Sequence, residues 1–212
     1  MRKLIVLAVL VGALVLGDVL AKSAAESAVE SGLRSQVEGV GAVDAQITSF
    51  PFTVRLLAAG EVSTLDLRLS DVVGRGIDLA WLRLRVDGLR LDRSVVFGGD
   101  ARITDVDRVS VTANITEEDV REATGADVRL FDGRATVTAA GVTTDAEVTV
   151  ADGRIRISVA GLPPYSLPVP GNELLPCAID ARVVKGALLA ECSTDRLPAI
   201  VLDAVGSVDL RG

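Results

Sequence analysis

Hydrophobic and polar residues alternate along most of the chain from Val43 onward. In the segment Leu65–Leu69, for example, each leucine is separated from the next by a charged residue. An alternation of period two predicts antiparallel β-strands with one buried face and one face in water. The segments with this pattern are Val43–Ile47, Leu65–Leu69, Leu82–Val86, Val109–Val111, Ala135–Ala139, Ala146–Val150 and Ile155–Val159.

The first part of the chain has a helical spacing instead. Between Val19 and Val37 apolar residues recur at roughly four-residue intervals, with charged residues between them. This predicts a long amphipathic helix that continues from the apolar run before it and ends near Gly39. The apolar positions expected to form its inner face are Leu20, Ala24, Ala28, Leu33 and Val37.

Two short helices are predicted to interrupt the strands. One begins at the capping-box-like sequence Thr116-Glu117-Glu118-Asp119 and ends at Gly125. The other begins at Leu197 and runs to about Val205. The predicted fold class is therefore α+β, with the long N-terminal helix packed against a large, strongly curved antiparallel sheet. We see no internal boundary, so residues 22–212 are expected to form a single domain.

Two dipeptides between predicted strands are typical of β-hairpins. Asp152-Gly153 is a strong turn signal, and Lys185-Gly186, between Ile179–Val184 and Ala187–Glu191, is a weaker one. The second hairpin brings Cys177 and Cys192 opposite or diagonal to each other. In an exported protein a structural disulfide is the expected outcome for such a pair.

The N-terminus has the features of a secretory signal. Arg2 and Lys3 precede the apolar run Leu4–Gly17, and Val19-Leu20-Ala21 is an acceptable cleavage sequence. The run is short for a permanent transmembrane helix, which needs about 20 apolar residues. We therefore interpret residues 1–21 as a signal peptide or signal anchor. The expected location is a periplasm-like space or the outer face of the plasma membrane.

Composition excludes several classes of function. The net charge of −7 and the absence of a basic patch argue against nucleic-acid binding. No histidine occurs, so no Ser-His or Cys-His nucleophile pair exists, and two thiols alone make a poor metal site. The acidic candidates Asp105, Asp107, Glu117, Glu118 and Asp119 are better explained as surface or capping residues. We expect no enzymatic activity, no cofactor and no metal.

The segment from Ser49 to Leu57 is the most unusual part of the sequence because it contains Phe50-Pro51-Phe52, with two of the four phenylalanines. One interpretation is a hydrophobic plug that closes an end of the sheet. The other is an apolar lip that contacts lipid or a membrane. For the second interpretation the candidate residues are Phe50, Pro51, Phe52, Arg55 and Leu56, with Arg55 placed to pair with a phosphate.

The segment Val43–Phe52, followed by Leu56-Leu57, Gly60 and the strand Val62–Leu69, resembles the opening of an actinobacterial envelope family. This is the LmeA-like phospholipid-binding family, also called mannan chain length control proteins. The strand Leu82–Leu91 and the step from Val109–Val111 into the Thr116 helix fit the same family.

The resemblance implies an exported or signal-anchored protein that binds phospholipids, notably of the phosphatidylinositol type, and supports elongation of the mannan of lipomannan. It also implies a fold like that of tubular lipid-binding domains. The expected partners are phospholipid and a membrane surface; no protein partner is identified. Two alternatives stay open, a structural or interaction protein with a packed core and a carboxylate-based enzyme of cell-wall glycans. An apolar tunnel or groove would separate the first alternative from lipid binding.

Overall fold

The computed structural model describes residues 2–36, 39–73, 77–92, 103–139, 141–151, 154–161, 163–168 and 177–197. Within these residues the chain forms three α-helices and twelve β-strands. The helices are α1 (Arg2–Gln36), α2 (Phe52–Ala59) and α3 (Glu117–Thr124). An N-terminal helix and a mostly antiparallel β-structure confirm the predicted α+β class. No helix of the described residues has the length and hydropathy needed to cross a membrane.

The described strands divide into two antiparallel sheets. In chain order they are β1 (Val40–Thr48), β2 (Glu61–Val72), β3 (Leu79–Leu91), β4 (Ile103–Asp105), β5 (Arg108–Thr116), β6 (Asp127–Phe131), β7 (Arg134–Ala139), β8 (Val142–Ala151), β9 (Arg154–Val159), β10 (Tyr165–Pro168), β11 (Asp180–Val184) and β12 (Ala187–Thr194). The first sheet has the order β1-β2-β3-β5-β12-β11, with β4 paired to β3. The second has the order β10-β9-β8-β7-β6.

The alternating residues lie on the two faces that the pattern predicts. Val86, Val109 and Ile115 are completely buried on the core side of the first sheet. On its other face the Arg83 guanidinium binds the Asp66 carboxylate across β2 and β3. One cluster of buried apolar side chains includes residues of both sheets and Leu33 of α1. The aliphatic alternation therefore forms the core.

The two sheets meet where two hairpins touch. The Gly133 N–H, in the β6–β7 turn, donates to the Val183 carbonyl oxygen at 2.9 Å. The Gly186 N–H, in the β11–β12 turn, donates to the Leu130 carbonyl oxygen at 3.0 Å. The Glu117 carboxylate accepts from the Leu130 N–H at 2.9 Å, so the start of α3 stabilises the same junction.

The predicted turns and the first short helix agree with the structure. Val184 pairs with Ala187 around Lys185-Gly186. Asp152 and Gly153 lie outside the described residues, and the residues that flank them, Ala151 and Arg154, are paired. The α3 helix has a capping box between Thr116 and Asp119 and ends at Gly125 in the left-handed conformation. The other predicted short helix, Leu197 to about Val205, lies outside the described residues apart from Leu197.

The inner face of α1 differs by one residue from the predicted one. Leu20 and Ala24 are exposed, whereas the residues that pack against the core are Ala21, Ala25, Val29 and Leu33. Both sets have a helical spacing and share Leu33, so the pattern alone does not distinguish them. The predicted Val37 lies outside the described residues. The rotation of α1 about its axis is determined by polar side chains of α1 that bind the backbone of β1.

Candidate functional site

The Phe50-Pro51-Phe52 segment connects the end of β1 to the start of α2. The two phenylalanines differ strongly in exposure. Phe52 is 4% exposed and belongs to the core, together with the half-buried Leu56 one helical turn later. Phe50 is 71% exposed. Phe52 therefore has the burial expected of a plug, whereas Phe50 and the neighbouring Pro51 are exposed to solvent.

The start of α2 is capped by a residue from α1. The residue before the helix is Pro51, whose side chain has no hydrogen-bonding atom. The Asp18 carboxylate takes that role and accepts from the N–H of Phe52 at 2.9 Å and of Thr53 at 2.6 Å. At its other end α2 stops at Gly60, a left-handed residue whose N–H donates to the Leu56 carbonyl oxygen. This capping contact between residues 18 and 52 was not predicted.

The Asp18 side chain is shielded from water by these contacts and is 7% exposed. The Thr53 N–H holds the pKa of the Asp18 carboxyl below its ordinary value; burial opposes this effect, and the Phe52 N–H adds to it. Because the folded pKa is the lower one, the stability that Asp18 contributes is present above the unfolded value of about 3.9 and is lost as the pH falls through the folded pKa.

The variant Asp18→Asn is therefore expected to have a lower Tm than the wild type at pH 7, and the gap should close on acidification. A protonated carboxyl and a carboxamide each offer one carbonyl oxygen to the two N–H groups, so the proteins become alike at low pH. Thermal unfolding followed by circular dichroism from pH 7 to pH 3 measures the gap. Asp44→Asn, an exposed change on β1, is the control. A difference in Tm that does not vary with pH would contradict the assignment of Asp18 as the ionised cap of α2.

Three further side chains of α1 bind the free edge of β1. The Glu26 carboxylate accepts from the Ile47 N–H at 2.7 Å, and the Glu30 carboxylate accepts from the Ala45 N–H at 3.0 Å. Arg34 donates to the carbonyl oxygen of Val43 at 3.2 Å.

The spacings of the two elements match. Four helical residues rise about 6.0 Å, and two strand residues about 6.6 Å. The helix thus satisfies an edge strand that would otherwise expose its hydrogen-bonding groups. This ladder also fixes the rotation of α1 and therefore which of its apolar residues face the core.

Exposed apolar side chains lie on α1 on both sides of Asp18, which caps α2, and on or just before α2. We call this group of side chains the apolar patch. They are Leu14, Val15, Leu16, Val19, Leu20, Phe50, Val54 and Leu57. The Asp18 contacts hold α2 against this part of α1. An exposed apolar surface of this kind is typical of a site that contacts a membrane, a lipid or another protein.

Arg55 lies next to the patch on α2 and is about half exposed. It donates to the hydroxyl of Ser63, and a guanidinium nitrogen lies 3.9 Å from the Glu61 carboxylate. An exposed ion pair at this distance contributes little to stability.

Two open grooves lie elsewhere on the surface. One, of about 640 Å³, runs across β7, β8 and β9, with small apolar residues such as Ala135, Ala146 and Val159 beside Arg134 and Glu147. The other, of about 380 Å³, lies between α1 and β1 and is mainly polar. Phe50, Pro51, Phe52, Arg55 and Leu56 line neither of these two grooves.

Four of the five acidic candidates for catalysis, Asp105, Asp107, Glu117 and Asp119, have structural partners. Arg90 binds the carboxylates of both Asp105 and Asp107 at the surface. Asp119 completes the capping box, and Glu117 binds the Arg129 side chain at 3.0 Å. No group of three or more Asp, Glu, Cys or His side chains in the described ranges is placed to hold a metal ion.

Cys177 and Cys192 form a disulfide, as predicted, with a Cα–Cα distance of 5.7 Å. Cys192 lies on β12 and is buried, while Cys177 precedes the edge strand β11. Disulfides persist in oxidising compartments outside the cytoplasm. The bond therefore agrees with an extracytoplasmic location.

In this protein a long helix covers the edge strand of an antiparallel sheet, and the apolar patch includes residues in the middle of that helix. The family model for LmeA-like phospholipid-binding proteins matches residues 16–199 of the 212. The chain therefore belongs to the LmeA-like phospholipid-binding family. No curated protein and no solved structure matches it in the same comparisons.

Proposed function

We propose that the protein is an exported, non-enzymatic phospholipid-binding protein of the cell envelope and that it contacts lipid through the apolar patch. The observation that carries this proposal is the exposure of Phe50, Val54 and Leu57 on the element that follows β1. Family membership supports lipid as the ligand. The disulfide supports a location outside the cytoplasm.

In this proposal Phe50 and its apolar neighbours contact acyl chains, and Arg55 at the edge of the patch pairs with the headgroup phosphate. Burial of a phenylalanine side chain in hydrocarbon is worth about 1.5–3 kcal/mol.

The resemblance extends the proposal to phosphatidylinositol-type lipids and to support of mannan elongation in lipomannan. Vesicles of phosphatidylinositol compared with vesicles of phosphatidylglycerol test the headgroup preference, because both lipids are anionic.

Phe50→Asp is expected to reduce binding to anionic phospholipid vesicles by roughly 10- to 100-fold, since the Phe50 contact is worth about 1.5–3 kcal/mol. Its Tm should change little because Phe50 is exposed. Vesicle flotation measures binding, and Phe131→Asp is the matched control because Phe131 is an exposed phenylalanine on β6 of the second sheet. Equal loss of binding in both variants would argue against the patch.

A structural or interaction protein is the second candidate function because the core-facing side chains of the first sheet are almost completely buried. From β1 to β12 they include Val43, Leu67, Val111 and Leu188, each at most 3% exposed. Close packing is what a protein without a lipid tunnel needs. In that case neither vesicle composition nor Phe50→Asp should change the distribution of the protein between vesicles and solution.

A further inference from the structure

Asp18 lies before Val19-Leu20-Ala21, the sequence that a signal-cleaving enzyme could recognise. Its carboxylate is nevertheless part of the folded domain, since it is 7% exposed and accepts from the N–H groups of Phe52 and Thr53. The family match also begins before this sequence, at residue 16. Two independent observations thus place the first residues of the domain upstream of Ala21.

Cleavage after Ala21 would take the Asp18 carboxylate away from the start of α2. Pro51 offers no side-chain acceptor, so the N–H groups of Phe52 and Thr53 would lose their partner. The cut would also create a terminal ammonium group at Lys22. The N-terminal end of α2 carries a positive partial charge, so a nearby carboxylate would be exchanged for a nearby cation.

The helix is continuous on both sides of Asp18, because α1 runs from Arg2 to Gln36. Upstream, its sequence is the apolar run Leu4–Gly17. Leu14, Val15 and Leu16 of this run belong to the apolar patch, and the Asp18 contacts hold α2 beside the same part of α1. An apolar surface that continues an apolar run is matched by hydrocarbon, at about 25 cal/mol per Å² of buried area.

We propose that residues 4–17 stay on the mature protein and insert, together with the apolar patch, into the surface of a lipid bilayer. The protein is then a tethered lipid binder rather than a diffusible carrier. This inference rests on the proposed function for the ligand that the domain handles. Attachment itself requires only that the bilayer buries α1 and the patch.

The test uses the full chain, with a C-terminal tag, produced in a bacterium that exports it. The membranes are washed with alkaline carbonate, and the intact mass of the tagged protein is determined. We expect the mass to include Leu4–Gly17 and the protein to remain in the washed membranes.

Hydrogen exchange of the purified protein adds a local measurement. Asp18→Asn should speed exchange at Phe52 and Thr53 by about 10-fold or more, while Ser23→Ala, an exposed change on α1, should not.

Three results would overturn the inference. In the first, the exported protein begins at Lys22. In the second, a protein without Leu4–Gly17 is released into the soluble fraction. In the third, a dimer buries the patch between two copies, and the washed membranes retain no protein. Failure of the proposed function gives a different result. A protein that stays in the membrane with its N-terminal run, but takes up no phospholipid, would keep the tether and reject lipid binding by the domain.

Discussion

Phe52→Ala is expected to lower the free energy of unfolding by about 3–5 kcal/mol, the usual cost of removing a buried phenylalanine. Phe52 is 4% exposed, and its ring packs in the core at the start of α2. Its loss leaves a cavity between α2 and the sheet that the aliphatic neighbours fill only in part. For a chain of this size, the change corresponds to a fall in Tm of roughly 10 °C.

Phe50→Ala is the matched control for this experiment, since it removes the same side chain two residues earlier. Phe50 is 71% exposed, so its free energy of unfolding should stay within about 0.5 kcal/mol of the wild type. Chemical denaturation measures both variants. A similar loss in the two would mean that both phenylalanines act as a plug. No loss in Phe52→Ala would contradict the placement of its ring in the core.

Replacement of both Cys177 and Cys192 by serine is expected to cost about 3 kcal/mol, the value for a loop of about 15 residues in the chain-entropy model. The two cysteines are 15 residues apart in sequence, and the bond joins β12 to the chain that leads into β11. The β11–β12 hairpin also carries the contacts to the second sheet. Loss of the bond should therefore loosen the junction of the sheets as well as the hairpin.

The measurement is denaturant unfolding with and without a reductant. The reductant should lower the midpoint for the wild type toward that of the double serine variant and leave the variant unchanged. A wild type that does not respond to reduction, at full conversion to free thiols, would show that the hairpin is held by its strand pairing alone.

Much of the fold could be predicted from the sequence because local patterns determine it. The alternation around Leu65–Leu69 and Ile155–Val159 predicts strands, since a strand with one buried face needs an apolar residue at every second position. The capping box at Thr116 and the turn at Gly186 are also determined by neighbouring residues. These elements are found where they were expected.

The parts that were not predicted depend on contacts between distant residues. Sequence spacing does not show that Asp18 caps a helix that begins at residue 52, or that Glu26 and Glu30 bind β1. The strand β10 was not predicted because its segment is rich in proline. It forms at the edge of its sheet, where Pro168 is tolerated. Strand pairing also decides that the strands form two sheets, because alternation is the same in either arrangement.

The same distinction applies to the candidate site. The sequence Phe50-Pro51-Phe52 is recognisable as a motif, but its spacing does not assign one phenylalanine to the core and the other to the surface. That assignment requires the start of α2, which is fixed by Asp18 from another helix. The one local signal for this role is the position of Asp18, a carboxylate directly after the apolar run Leu4–Gly17 and within the same helix.

The most direct test of phospholipid binding is mass spectrometry of the lipids that accompany the purified full chain, with Phe50→Asp purified in parallel. The account predicts phospholipid at about one molecule per wild-type chain and clearly less in the variant. Phospholipid no higher than in a detergent blank, together with no uptake from anionic phospholipid vesicles, would contradict it.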